Sequence, residues 1–208
     1  MALRPRLTAG LPFLRLVPLL TLSASSLPAP PLSRTEEIIG ECRGLRAGVD
    51  HYDGVMALLD EAEGRRWLAA AREHLRAGRH ARAGGFHAHA VLAAEQAAQC
   101  ALKAMLRATG SVDSARGHSL PELLSAAARR SGFVVDERLA DRLGELSAHY
   151  QPTRYPDALA SGTPGDHYGT EAAERFLSAA GEIIDAAAKH LDRLRVAAQE
   201  DGDDTHAG

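Results

Sequence analysis

Aromatic residues are scarce in this chain, at 4% of 208 residues. The β-branched side chains that strands favour are also few, while Ala and Leu dominate the apolar content, so an all-β fold is excluded. Lysine occurs only at Lys103 and Lys189. The remaining basic residues are arginines, an Arg and Ala bias that points to a GC-rich bacterial genome before it points to chemistry. Cysteine is limited to Cys42 and Cys100, with no CxxC pair, which excludes a disulfide framework and a zinc knuckle and fits a reducing cytoplasm. No HExxH occurs, and His87 and His89 splay apart on a helix, so no metal or other cofactor is expected. A net charge of −3 denies the chain the basic excess needed to coat nucleic acid by bulk charge. Long uninterrupted apolar runs are missing too. The stretch Leu11 to Leu22 is broken by Pro12, Arg15 and Pro18, which argues against both a membrane span and a signal-peptide core.

What is present suffices for one domain. Hydrophobic residues make up 45% and charged residues 25%, enough for a globular core and too apolar for disorder throughout. Residues 1–55 hold six of the ten prolines and no helical period, so this segment is expected to be a disordered extension or a mis-annotated start upstream of Val55 or Met56. From Leu58 to about Arg82, apolar residues three or four apart predict an amphipathic helix. Gly84 and Gly85 break it before a second helix over Phe86 to Ala108. Along that second helix Phe86, Ala90, Ala93, Ala97, Cys100, Ala104 and Ala108 form a smooth stripe for a close neighbour, and a homodimer or a hetero-complex through this stripe is expected.

Ser119, Pro121 and Glu122 predict the capped start of a third helix that ends at Gly132. Asp136 caps a fourth, running to about Ala148 through Leu139, Leu143 and Leu146. A loop of nearly twenty residues, rich in Pro and Gly, precedes a last helix capped by Thr170. Phe176, Leu177, Ala180, Ile183, Ile184, Ala187 and Leu191 mark its buried face. The expectation is an all-α single bundle of five helices built on a long antiparallel hairpin, spanning 56–199, with an acidic disordered tail over 200–208.

Specific residues carry a resemblance. Trp67-Leu68, the run Ala94 to Ala104 (AEQAAQCALKA), Gly110, His118-Ser119-Leu120, Tyr150 and the sequence Arg154-Tyr155-Pro156-Asp157 resemble the HEPN domain from about Leu58 to Leu191. The chain departs from the pattern with Gln99 where an acidic residue is usual and Ser119 where Asp commonly follows the histidine. The resemblance implies a helical, usually dimeric protein that accompanies a minimal nucleotidyltransferase or acts in toxin-antitoxin and defence systems.

Two groups of residues are chemical candidates. Catalytic HEPN proteins cleave RNA with an Arg and a His near the end of the fourth helix, which points to Arg142 and His149. Seven positions are two helical turns and would share a face; a His can move the 2′-OH proton while an Arg stabilises the phosphorane-like transition state, without a metal. Against this, Leu143 stands where active members commonly carry a polar residue, and Arg–His pairs at similar spacing recur in this Arg-rich chain. The second group is Arg154, Tyr155 and Asp157, with Pro156 holding Tyr155 extended. These residues suit contact with a nucleotide, or they clamp the fold through an Arg ion pair. His118, Gln96 and Lys103 join this group in weaker form. The leading reading is a binding module for a nucleotide or a partner nucleotidyltransferase; the rival is a metal-independent ribonuclease.

Overall fold

The computed structural model describes residues 59–204, with side chains to Gln199. The expectations for residues 1–55 lie outside the described residues. Helix α1 spans Glu61–Ala83, α2 His87–Ala108, α3 Leu120–Ser131, α4 Glu137–Ser147, α5 Pro164–His167 and α6 Thr170–Asp204. Short 3₁₀ turns occupy Asp113–Ala115 and Pro156–Ala158. Among the described residues there is no strand.

The hairpin of α1 and α2 is closed at both ends. Asp60 caps α1 by accepting from Glu63 N at 2.9 Å, so the helix starts after the cap rather than at Leu58. Asp60 N in turn donates to Ala108 O, tying the first turn of α1 to the last of α2. At the other end Gly85 takes a positive φ of 81°, a conformation that a side chain resists. Phe86 is the N-cap of α2 and is 63% exposed, so it does not belong to the buried stripe.

Small residues let the hairpin close tightly. Gly64 and Gly78 of α1 leave so little room that a Cβ at Gly78 would stand 2.7 Å from Leu177 of α6 and 3.1 Å from Ala93 of α2. Ala90, Ala97, Ala104 and Ala108 are wholly buried in the bundle. Most of the face expected to serve a homodimer is therefore used within the monomer, while Ala93 and Cys100 on it stay partly exposed.

Helix α2 lies at the centre and contacts every other α-helix. Helix α6 packs on α1 and α2, and all seven residues of its expected stripe are buried. Helices α3 and α4 close the remaining side with Leu120, Leu123, Leu124, Leu139, Leu143 and Leu146 buried. Their boundaries follow their caps: Ser119 accepts from Glu122 N, Asp136 from Leu139 N, and Gly132 ends α3 at φ 67°. Thr170 is the first residue of α6 rather than its cap, because its hydroxyl meets His87 Nε2 at 3.0 Å while Ala173 N donates to the carbonyl of Gly169. That helix also continues to Asp204, beyond the expected end at 199. Acidic residues do not stop a helix that is already propagating.

The long segment from His149 to Gly169 is knit by local bonds. Thr153 Oγ1 donates to the carbonyl of His149, and the backbone N–H groups of Arg154 and Tyr155 both donate to Gln151 O. Thr163 and Asp166 form a reciprocal capping box at α5, and His167 Nε2 meets Ser161 O at 2.6 Å.

Candidate functional site

The residues singled out from the sequence fall into two places. Arg142 projects from α4 to α6, where its Nη1 donates to both oxygens of Glu182 at 2.9 and 2.7 Å and its Nη2 reaches Arg175 O at 3.4 Å. Ser178 also donates to Glu182, and the Arg142 bond holds that carboxyl below the usual range. His149 lies beyond the end of α4. The helix stops at Ser147, and His149 N closes a tighter turn on Leu146 O, so the two-turn spacing from Arg142 does not hold. The His149 ring is half-buried against Phe176 and Tyr168, and its Nδ1 meets the Tyr168 hydroxyl at 2.9 Å. Burial pushes its pKa down. Arg142 and His149 are thus each engaged by different neighbours.

The other place is organised by a residue that sequence reasoning left out of the candidate group. Glu95, on α2, is fully buried and accepts from the side-chain amides of Gln96 at 2.6 Å and of Gln99. Arg154 approaches it at 3.8 Å. Helix spacing explains the rest: Glu95, Gln99 and Lys103 are four apart and lie along one face. Lys103 Nζ donates to Gln99 Oε1 at 3.3 Å, and His118 Nδ1 meets the same oxygen at 3.1 Å. With its amide nitrogen turned to Glu95, Gln99 presents an acceptor oxygen to His118.

Tyr150 completes the cluster. Its ring lies 5.0 Å from that of His118 and 3.9 Å from the Arg154 guanidinium, and Arg154 also donates to the Tyr150 carbonyl. Gln96 and Lys103 from α2 itself, and His118 and Arg154 from later in the chain, therefore meet around Glu95 and Gln99. Arg154 turns to Glu95 and Tyr150 rather than to Asp157. Tyr155 remains 52% exposed in extended backbone at φ −125°, followed by exposed Asp157 in the 3₁₀ turn.

Burial sets the electrostatics. It raises the pKa of Glu95 and lowers that of Lys103, in each case as the largest cause. Among the described residues no group of His, Cys, Asp and Glu is disposed to hold a metal, and no helix is long and apolar enough to cross a membrane. A signal for the cluster was available in the sequence: Glu95, Gln99 and Lys103 are polar at four-residue spacing inside a run of alanines.

Comparison with solved structures and families agrees with this geometry. The chain is similar to TT1696 from Thermus thermophilus, at 37% identity and a TM-score of 0.57, over 62% of this chain and 98% of that one. It is also similar to ST0689, an archaeal HEPN homologue, at 26% identity and a TM-score of 0.52, again over 62% of this chain and 98% of that one. No curated protein sequence matches. The family model of the HEPN domain matches residues 65–191, which contain all the helices from most of α1 to the middle of α6 and every residue of both places described above; the chain belongs to the HEPN domain family.

Proposed function

We propose that this protein is a noncatalytic binding module of the cytoplasm that engages a nucleotide through Arg154, Tyr155 and the cluster behind them, alone or in complex with a minimal nucleotidyltransferase. One observation carries the reading: Lys103, His118 and Arg154 converge on a region whose single carboxylate, Glu95, already accepts from two amides. Donors outnumber acceptors there, which is the composition of an anion site. Tyr155, exposed beside Arg154, offers a face on which a base can stack.

The test is calorimetric titration of the wild-type protein and Arg154→Ala with adenine and guanine nucleotides. Loss of about 2 to 5 kcal/mol of binding free energy in the variant, as for a largely desolvated charge contact, supports the reading. Unchanged affinity in the variant, or no nucleotide binding by the wild type, counts against it.

The ribonuclease reading has one observation in its favour, a His149 whose pKa burial lowers, in hydrogen-bond contact with a hydroxyl. The capture of Arg142 by Glu182 opposes it. Chelator-resistant RNA cleavage that falls by about two to four decades in His149→Ala would establish it.

A further inference from the structure

We propose that His149 is an acid-sensitive clasp for the segment that carries Arg154 and Tyr155: its neutral ring fastens that segment to the bundle at Tyr168, and a proton on the ring releases it. Among residues 150 to 169 only Thr153 and Tyr168 are buried, and both bond to His149. Thr153 Oγ1 donates to the His149 carbonyl at 2.8 Å, and the Tyr168 hydroxyl meets His149 Nδ1 at 2.9 Å. One residue at the start of the segment thus fixes it near both ends, once through the backbone and once through the ring.

The two bonds differ in what breaks them. A carbonyl accepts at any pH. Tyr168 is 8% exposed, and among the described residues the one hydrogen-bond partner of its hydroxyl is His149 Nδ1. The phenol keeps its proton throughout the neutral and acid range, the more so because burial raises its pKa. That O–H donates to Nδ1 only while the nitrogen is bare, since a protonated imidazole is a donor at both nitrogens. Acid therefore takes the acceptor away from a buried O–H and leaves the Thr153 bond as it was.

The surroundings do not offset the added charge. The His149 ring lies 4.9 Å from that of Phe176, itself 1% exposed, and stands edge-on to Tyr168 at 5.4 Å. The charged groups facing it are Glu145 of α4, which favours the proton, and Arg175 of α6, which opposes it. These two pair with each other, so neither is left over to balance an imidazolium. Burial is the largest influence and lowers the pKa of His149, so the clasp is closed above about pH 6.5 and opens as pH falls through the folded value.

The experiment measures hydrogen–deuterium exchange on the full chain at about pH 7.5 and about pH 5, as protection factors that remove the intrinsic pH dependence of exchange. Wild type is compared with Tyr168→Phe and His149→Phe, with circular dichroism confirming that the variants fold. In wild type, the protection of residues 156 to 168 relative to that of α2 should fall roughly three- to tenfold on acidification, the worth of one hydrogen bond. Tyr168→Phe keeps the ring and lacks the hydroxyl, so it should show the lower protection at both pH values. His149→Phe cannot take up the proton and should show no pH dependence in this segment. Equal relative protection at the two pH values in wild type overturns the clasp, as does a fall shared equally by α2 or one that persists in either variant. No ligand enters the measurement, so its outcome is separate from that of the nucleotide and ribonuclease readings.

Discussion

Arg142 and Arg154 lie twelve residues apart and both reach across to a neighbouring helix, yet their surroundings differ in kind. Arg142 meets both oxygens of Glu182, a half-exposed carboxylate that the ion pair stabilises in its charged form. Arg154 lies against an aromatic ring and approaches a carboxylate, Glu95, whose charge is opposed by burial. Around Arg142 the charges are balanced by protein groups: Arg175 pairs with Glu145 just as Arg142 pairs with Glu182. Around Arg154 the one carboxylate is the buried Glu95, which also accepts from Gln96 and Gln99, while Lys103 and His118 both meet Gln99. The contrast teaches that residue type and spacing do not distinguish the two arginines; the count of acceptors around each does.

The largest effect expected is from removing the carboxylate itself. Glu95→Ala should destabilise the fold by about 3 to 5 kcal/mol, because it strips the acceptor from Arg154, Gln96 and Gln99 in a buried setting. Urea denaturation checks this, and a loss under about 1 kcal/mol, the scale of an exposed pair, would erase the distinction between the two regions.

Acid should separate them next, with opposite signs. His149 and His190 both have pKa values lowered by burial. Their unfolded forms bind protons first, so their contribution is complete above about pH 6.5 and is lost as pH falls from there through the folded values. Glu95 is raised, so its contribution is complete below its unfolded value and shrinks as pH rises through the folded one. Unfolding free energies measured from about pH 7.5 down to about pH 5 should therefore fall toward acid in the wild type, fall more steeply in Glu95→Gln, and flatten in His149→Phe.

A smaller effect should have the unusual sign. Ligand-free Lys103→Met should gain about 1 kcal/mol, since an apolar side chain replaces a buried unpaired cation. A thermal melt showing a lowered midpoint would argue that the lysine is already satisfied. The smallest effect belongs to Arg142→Ala, at no more than about 1 kcal/mol for a salt-screened pair, with nucleotide affinity unchanged. A double-mutant cycle with Glu182→Ala measures the coupling.

Most of the architecture was legible because it is written locally. Asp136 and Gly132 mark helix ends through their own side chain or its absence, and the apolar residues of α6 repeat at the helical period, so no distant information was needed. The α2 stripe was legible as a packing surface, but not as one already occupied. That depends on Gly64 and Gly78 of α1 and on Leu177 of α6, whose proximity only the assembled bundle supplies. The members of the polar cluster around Glu95 were named in part from a resemblance. Glu95 escaped because a glutamate between alanines on a helix looks solvated. Its role appears only when the chain returns, more than fifty residues later, to set Arg154 beside it. The spacing of Arg142 and His149 puts them on one face only if the helix persists to His149, and α4 ends at Ser147.

The bonds that knit residues 149 to 169 have a kinetic consequence. With Thr153 tied to His149, Gln151 O holding two successive amides and Thr163 boxed to Asp166, this connection has few alternative shapes to explore. Under the proposed function, a ligand arriving at Arg154 and Tyr155 would meet a surface formed before the encounter, and association would be docking without a folding step. Its rate should then follow diffusion and charge, rising as ionic strength falls, with no slow phase from rearrangement of the loop.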